Sequence, residues 1–472
     1  MRLRGVAAAG AGIALVGLLA ACGSSSHTAA PSTTTTHTAP PPPAPPPVRP
    51  HSRPKPKLVA VTVRDGDTGK PISNAVVSVR HGRRVGKRTF TLARRGILPG
   101  SAWAPGYTAR EVTFRFDEAR HITVSLYRTA TQWTMYGADP ARTQAHPAIK
   151  LRPPFRVVWS RQLDALVEFP AVVADGVAYV SHLHGWLYAL SMATGKTLWS
   201  FDMHTFEEDS SPAVAGNLLV AHAKRGRVFV LDRRTGKELW SWGTAGEIES
   251  SPVVIDGVDY LGDWAGNVYA LDLRTRKLRW VYHDGCKITA SAAISGGSLY
   301  LGDYCGRVIA LRASNGQLRW SASAGSPVYG TSAVAAGRVF TPSRDSGALV
   351  AFTTGGQRLW SVSTGNLVYS APAVYGGRVF FGSYNGDLYC VSAAGGRVLW
   401  TVYAGGRVSG SPTVIDGVVY AGSFGHEIVG ADVRTGRVLF TFPHGEYVAV
   451  SGNGSRLLLY GWSSIWAVEP RR

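Results

Sequence analysis

The residues best placed to do chemistry in this 472-residue chain recur in register. Six segments align on a Ser-Pro or equivalent pair, such as Ser211-Pro212 and Ser251-Pro252. Third before the Pro position stand Asp209, Glu249, Thr289, Tyr329, Tyr369 and Ser409; fifth before it stand Glu207, Glu247, Lys287, Pro327, Leu367 and Arg407. In an extended chain, side chains two apart share a face, so both columns are expected to point the same way. If that face lines a cavity, Glu207, Asp209, Glu247 and Glu249 form an acidic arc. Lys287 and Arg407 oppose it, with Tyr329 and Tyr369 between. Such convergence suits a ligand or a peptide. It equally suits a water-filled channel whose charges only solvate it.

Other chemistries are weakly represented. His182, His184 and His222 could meet at one rim and hold a metal, but isolated turn histidines are commoner, so no metal site is assigned. The chain has no Gly-x-Ser-x-Gly elbow, His-Glu-x-x-His pair, phosphate loop, Cys-x-x-Cys-His or adjacent Cys-Cys. No catalytic residue is assigned.

The elements that must position the columns follow from a second periodicity. Trp159, Trp199, Trp240, Trp280, Trp320, Trp360 and Trp400, then Phe440, recur every 40 or 41 residues. Between them, short apolar runs alternate with Asp-Gly, Gly-Gly and Thr-Gly turns, as in SPVVIDGVDYLGDWAGNVYALDLRTRKLRW. Each unit therefore reads as four antiparallel strands, and repeats of this length with four strands are propeller blades. Seven units are complete. The last segment lacks an outer strand, and Trp159 belongs to an outer strand lacking its other three. Joining them predicts an all-β fold, an eight-bladed β-propeller over 131–472, closed without free sheet edges.

The turn before each aromatic reads ALSMATGKTLW, VLDRRTGKELW or GADVRTGRVLF, with a small or modest residue ten positions before the ring at Ala189, Val230, Ala270, Ala310, Cys390 and Gly430, and nine before it at Ala351. This pattern resembles the tryptophan-docking motif of the pyrroloquinoline-quinone-type propeller superfamily. The segment holding Trp133, Tyr136, Gly137, Arg142 and Thr143 resembles the lead-in of the same superfamily, with Gln144 where a Gly is usual. The resemblance implies an eight-bladed lipoprotein propeller similar to that of outer-membrane assembly. It also raises an alternative: a quinoprotein oxidoreductase holding pyrroloquinoline quinone and calcium. The missing Cys-Cys pair and haem motif, and the scarcity of Asp and Glu, disfavour that cofactor.

Residues 1–21 pair Arg2 and Arg4 with an apolar stretch too short for a comfortable membrane span, which reads as a signal peptide. Leu19-Ala20-Ala21-Cys22 resembles a lipobox, which implies lipidation of Cys22. A Ser/Thr/Pro-rich tether follows over 22–57. Residues 58–130 alternate apolar and polar residues as strands do. Asp67, Thr68, Gly69, Pro71, Ile72, Ala75 and Val77 make this segment similar to carboxypeptidase-regulatory-like β-sandwich domains.

The formal charge is +20, and 58–130 holds 13 Lys/Arg against 5 Asp/Glu. A basic surface on an exported chain suits anionic neighbours such as lipid or wall polymer rather than nucleic acid, and it equally suits a merely solvated arginine-rich surface. Cys390 takes a docking position and is expected as a buried thiol. Cys286 and Cys305 flank one hairpin and come nearly opposite when it folds, which fits a disulfide in an oxidising compartment; two free thiols near a loop is the other outcome. The expectation is a monomeric, lipid-anchored protein of the cell envelope, facing the wall or periplasm. Its propeller would be a non-enzymatic platform for an envelope protein or an anionic polymer.

Overall fold

The computed structural model describes residues 56–92, 96–115, 120–207 and 210–471. The expected signal segment, Cys22, nearly all of the tether and Asp209 lie outside them. Among the described residues the only helical element is a single 3-10 turn at Thr129–Thr131, and no helix is long and apolar enough to cross a membrane.

Seven strands come first: β1 (Lys57–Asp65), β2 (Val76–Val79), β3 (Gly82–Gly86), β4 (Thr89–Leu92), β5 (Ile97–Trp103), β6 (Arg110–Arg115) and β7 (His121–Leu126). They form two sheets, β3-β4-β1-β7 and β2-β5-β6. The alternation in β1 sends Val59, Val61 and Val63 inward against Phe90, Leu92, Phe114 and Leu126, a separate core. Asp65 closes that inward series. Its carboxylate accepts the amides of Asp67 and Thr68 (3.0 and 2.9 Å), the Tyr107 hydroxyl (2.8 Å) and Arg128 Nε (2.9 Å). These bonds hold its carboxyl below the usual range even though burial opposes them. The turn is thus held by Asp65, whereas Asp67 bonds forward to Thr131 Oγ1 (2.8 Å).

The chain then crosses to the ring. Strand β8 (Ala145–His146) precedes β9 (Phe155–Gln162), and the first complete blade is β10 (Val172–Ala174), β11 (Val177–His182), β12 (Trp186–Ser191) and β13 (Thr197–Asp202). Six more sheets repeat this order with inner strands at Ala213–Ala215, Val253–Ile255, Ala293–Ser295, Ala333–Ala335, Ala373–Tyr375 and Thr413–Ile415. The eighth takes Val450–Gly452, Leu457–Tyr460 and Ser464–Pro470, and borrows β9 as its outer strand. Neighbouring inner strands pack around a central channel.

One device recurs at most joints. Each small residue pairs across the strands with the aromatic of its own blade: Ala189 with Trp199, Ala310 with Trp320, Cys390 with Trp400, Gly430 with Phe440. A register shift follows each pair and turns the ring outward. The ring then lies over the turn of the next blade, in most cases on its glycine. A Cβ on Gly236 would stand 2.6 Å from Trp199, and one on Gly316 2.5 Å from Trp280. The indole N–H of Trp280 donates to Ala313 O (2.9 Å) and that of Trp320 to Thr354 O (2.8 Å). Small residues are therefore needed twice, inside the blade and on its neighbour. The eighth joint follows the same rule, because Ala467 pairs with Trp159 and Trp159 donates to Met192 O (2.9 Å) on the first blade.

Candidate functional site: the channel and its mouth

One end of the channel is closed by the segment Trp133–His146. Its carbonyls accept amides from five inner strands: Val214 to Thr134 O, Ile294 to Pro140 O, Val334 to Ala141 O, Val374 to Thr143 O and Val414 to Gln144 O, all within 2.7–2.9 Å. Trp133 and Val173 exchange both backbone bonds, at 2.9 and 2.7 Å. The edges that these six inner strands would otherwise expose are thereby taken up. Arg142 is the centre of this floor and is 1% exposed. Its guanidinium donates to the carbonyls of Ala292 (2.9 Å), Ser251 (3.2 Å), Pro252 (3.0 Å) and Tyr136. Burial lowers its pKa to about 10. Gln144 adopts φ +53, the left-handed conformation that explains why Gly is usual there.

Above the floor, hydroxyls pin the blades together. Ser251 Oγ accepts from Ser211 N (3.0 Å), Ser291 Oγ from Ser251 N (2.8 Å), Thr331 Oγ1 from Ser291 N (3.1 Å) and Ser411 Oγ from Ala371 N (3.2 Å). The cavity over them has a volume of about 80 Å³ and is lined by Glu168, Phe169, Glu249, Thr289, Tyr329, Tyr369, Ser409 and Tyr447, with Tyr136 and Gln144 beneath. Among the described residues its lining includes no Lys, Arg or His.

The third-position column, Glu249, Thr289, Tyr329, Tyr369 and Ser409, does meet in this cavity. The fifth-position column does not share its face. Glu207, Glu247, Lys287 and Arg407 are absent from the lining. The physical reason is local: the segments before each inner strand are turns and coil, not extended chain, so the alternation of a strand does not carry through them. The expected acidic arc is also partly neutralised, because buried Lys224 donates to Glu249 Oε1.

A column missed by the sequence reading forms the mouth. Leu183, Lys224, Trp264, Tyr304, Arg344, Tyr384, Phe424 and Trp462 each follow the second strand of a blade, at close to the same 40-residue interval. Their amides bond to the fifth-position carbonyls: Trp264 to Glu247 (2.8 Å), Tyr304 to Lys287, Tyr384 to Leu367 and Phe424 to Arg407 (each 2.9 Å). Cations of both columns rest on their rings. Lys287 Nζ lies 3.0 Å from the Trp264 ring centre and 4.7 Å from that of Tyr304, with its pKa lowered by burial. Arg344 lies 5.4 Å from Tyr304 and 5.8 Å from Tyr369, and Arg407 5.8 Å from Tyr384. Ring contacts continue from Tyr329 to Tyr369 (5.3 Å), Tyr384 (4.9 Å), Phe424 (6.0 Å), Tyr447 (4.7 Å) and Trp462 (6.3 Å). The repeat that revealed the blades would have revealed this column, had the turn positions been aligned as well as the strands.

The histidines do not form a metal centre. His182 stands 2.8 Å from Asp164, while His222 is buried between Ser250 O (2.6 Å) and Asp259 (2.9 Å). Cys286 and Cys305 are bonded to each other, with Cα atoms 5.9 Å apart, and both lie in turns at the mouth rather than in strands. Cys390 is a buried free thiol whose pKa burial pushes up to about 12. Among the described residues, Asp284, Cys286 and Asp303 have metal-ligand proximity. The sulfur is committed to the disulfide, however, and Arg307 donates to both carboxylates (2.8 and 2.7 Å).

A closed ring of four-stranded blades, locked by tryptophans on the turns of neighbouring blades, defines a β-propeller of the quinoprotein-dehydrogenase-like class. The family described as outer membrane protein assembly factor BamB matches residues 156–247, 183–353 and 345–462, and the chain belongs to it. The 1-butanol dehydrogenase (cytochrome c) of Thauera butanivorans is 27% identical over 164 residues, 30% of this chain and 24% of that protein. The outer membrane protein assembly factor BamB of Yersinia pestis is 27% identical over 120 residues, 22% of this chain and 30% of that protein. The matches thus span less than a third of either relative. BamB from Moraxella catarrhalis has a similar fold (TM-score 0.57, 17% identity, 68% of this chain and 99% of that one). So does the quinohemoprotein alcohol dehydrogenase of Comamonas testosteroni (TM-score 0.62, 14% identity, 72% and 81%).

Proposed function

We propose that this protein is an exported, lipid-anchored component of the cell envelope whose propeller binds a partner at the open mouth of its ring and catalyses no reaction. The observation that carries the reading is the asymmetry of the channel. One end is filled by the Arg142 floor, and the other presents a half-circle of aromatic rings and seated cations from Trp264 to Trp462. Exposed aromatics and Arg are the side chains that anchor protein interfaces. Membership in a family described as an outer membrane assembly factor supports a partner in the envelope.

The relatives that are alcohol dehydrogenases favour a second reading, an oxidoreductase using pyrroloquinoline quinone and calcium. The cavity does not fit that group. The quinone carries carboxylates, whereas the lining offers Glu168 and Glu249 and no cation. Glu249 already shares an ion pair with Lys224, which weakens its capacity to hold calcium.

Trp462 is 54% exposed at the mouth, so a photocrosslinking residue can replace it without disturbing the core. Irradiated envelopes are expected to yield a covalent adduct from position 462 and none from the outer-strand position Leu198. Equal yields at both positions would remove the mouth from consideration, and a chromophore bound after incubation with the quinone and calcium would establish the oxidoreductase.

A further inference from the structure

We infer that the channel cavity binds an uncharged, hydroxyl-rich ligand, a saccharide unit, whose chain leaves through the mouth. This rests on the proposal that the mouth is the binding face. Four features lead to it. The cavity is blind, so a ligand enters end-on between Tyr329, Tyr369 and Tyr447 and stops above the Arg142 floor.

Second, the charges around it are of both signs. Glu168 and Glu249 line the wall, Lys224 sits on Glu249, and Lys287 and Arg344 stand at the mouth. A compact anion would meet carboxylates inside, and a compact cation would meet two cations on the way in. A neutral ligand meets neither penalty.

Third, two residues that line the cavity each carry a buried polar atom with no partner. These atoms are Oε2 of Glu249, which is 8% exposed, and Oγ1 of Thr289, which is 5% exposed. Buried polar groups are almost always hydrogen-bonded, so these two call for a donor and for a group that can donate or accept. A vicinal pair of hydroxyls supplies both.

Fourth, Tyr329 and Tyr369 meet edge to face at 5.3 Å, leaving flat apolar surface beside the polar wall. A sugar ring carries C–H groups on its faces and hydroxyls on its edge. Aromatic surface next to unpartnered oxygens matches that arrangement, whereas a peptide strand would need free sheet edges, and the floor segment already occupies those of six inner strands.

The test uses the full chain with chitotriose, cellotriose and maltotriose, read by saturation-transfer NMR and thermal shift. At least one is expected to receive saturation and raise Tm. Thr289→Val, which keeps the shape and removes one hydroxyl, is expected to weaken that binding about tenfold. Tyr369→Ala serves as a second variant should Thr289→Val fold poorly, and is expected to abolish the saturation. The inference is overturned if none of the three sugars binds, if both variants bind as tightly as the wild type, or if an uncharged tetrapeptide saturates the cavity instead. The crosslink from position 462 is independent of these results, so loss of sugar binding leaves the platform reading standing or falling on its own test.

Discussion

Trp159 lies where a Cβ on Gly195 would stand: its ring atoms come within 2.6 Å of that position, and Gly195 has φ +70. The two residues belong to the eighth and first blades, so this contact seals the ring. Gly195→Ala introduces both a clash and a strained backbone. Removal of the indole by Trp159→Ala is expected to cost about 3 to 5 kcal/mol. Urea unfolding should show both variants destabilised, and the wild-type midpoint in both would mean that the joint contributes nothing to closure.

Arg142 donates to four carbonyls from the floor segment and two blades. Lysine keeps the charge but not the planar fork, and it would leave buried carbonyls without donors. Arg142→Lys is expected to lower stability by about 3 kcal/mol or more. Hydrogen exchange at the Val334 and Val374 amides, which bond to the same segment, should rise in parallel. Unchanged exchange there would show that the floor holds without its centre.

Asp67 joins the N-terminal sheets to the ring through Thr131, and burial raises its pKa to about 6. The neutral form is therefore the one the folded state prefers. Its contribution is complete below about pH 4 and is lost as pH rises through 6. Asp67→Asn should match wild-type stability near pH 4 and exceed it by about 1 to 2 kcal/mol at pH 8, a figure discounted for partial exposure. Melting curves at the two pH values decide it, and a stability difference that does not change with pH would falsify the assignment.

The Cys286–Cys305 bond closes a loop with a sequence separation of 19. The double variant Cys286→Ser, Cys305→Ser is expected to lose about 3 kcal/mol, a model-dependent figure for a loop of this length. Reduced wild type should show the same loss, measured by thermal unfolding with and without a thiol reductant. A reductant that leaves Tm unchanged would argue against a structural role for the bond.

Much of the architecture is legible in the sequence. The blades are set by contacts between residues near in sequence, or one repeat apart, so a periodic Trp, a small residue about ten positions earlier and a Thr-Gly turn were enough to count them. The Trp159–Ala467 pairing is the one long-range contact in that set, and it was still readable because each end lacked what the other had. The cavity residues were half legible. Glu249, Thr289, Tyr329, Tyr369 and Ser409 share a column, but the alternation extended to Glu247, Lys287 and Arg407 fails in coil.

By itself, then, the sequence determined a closed all-β ring, because every blade repeats the same local packing rule. Only the tertiary structure decided which column faces the cavity, that Lys224 pairs with Glu249, and that Arg142 fills one end while Trp264, Tyr304, Tyr384 and Trp462 border the other. Those relationships join turns and coil from different blades. Their side chains meet only after the ring closes, and no period in the chain records which way a coil residue points.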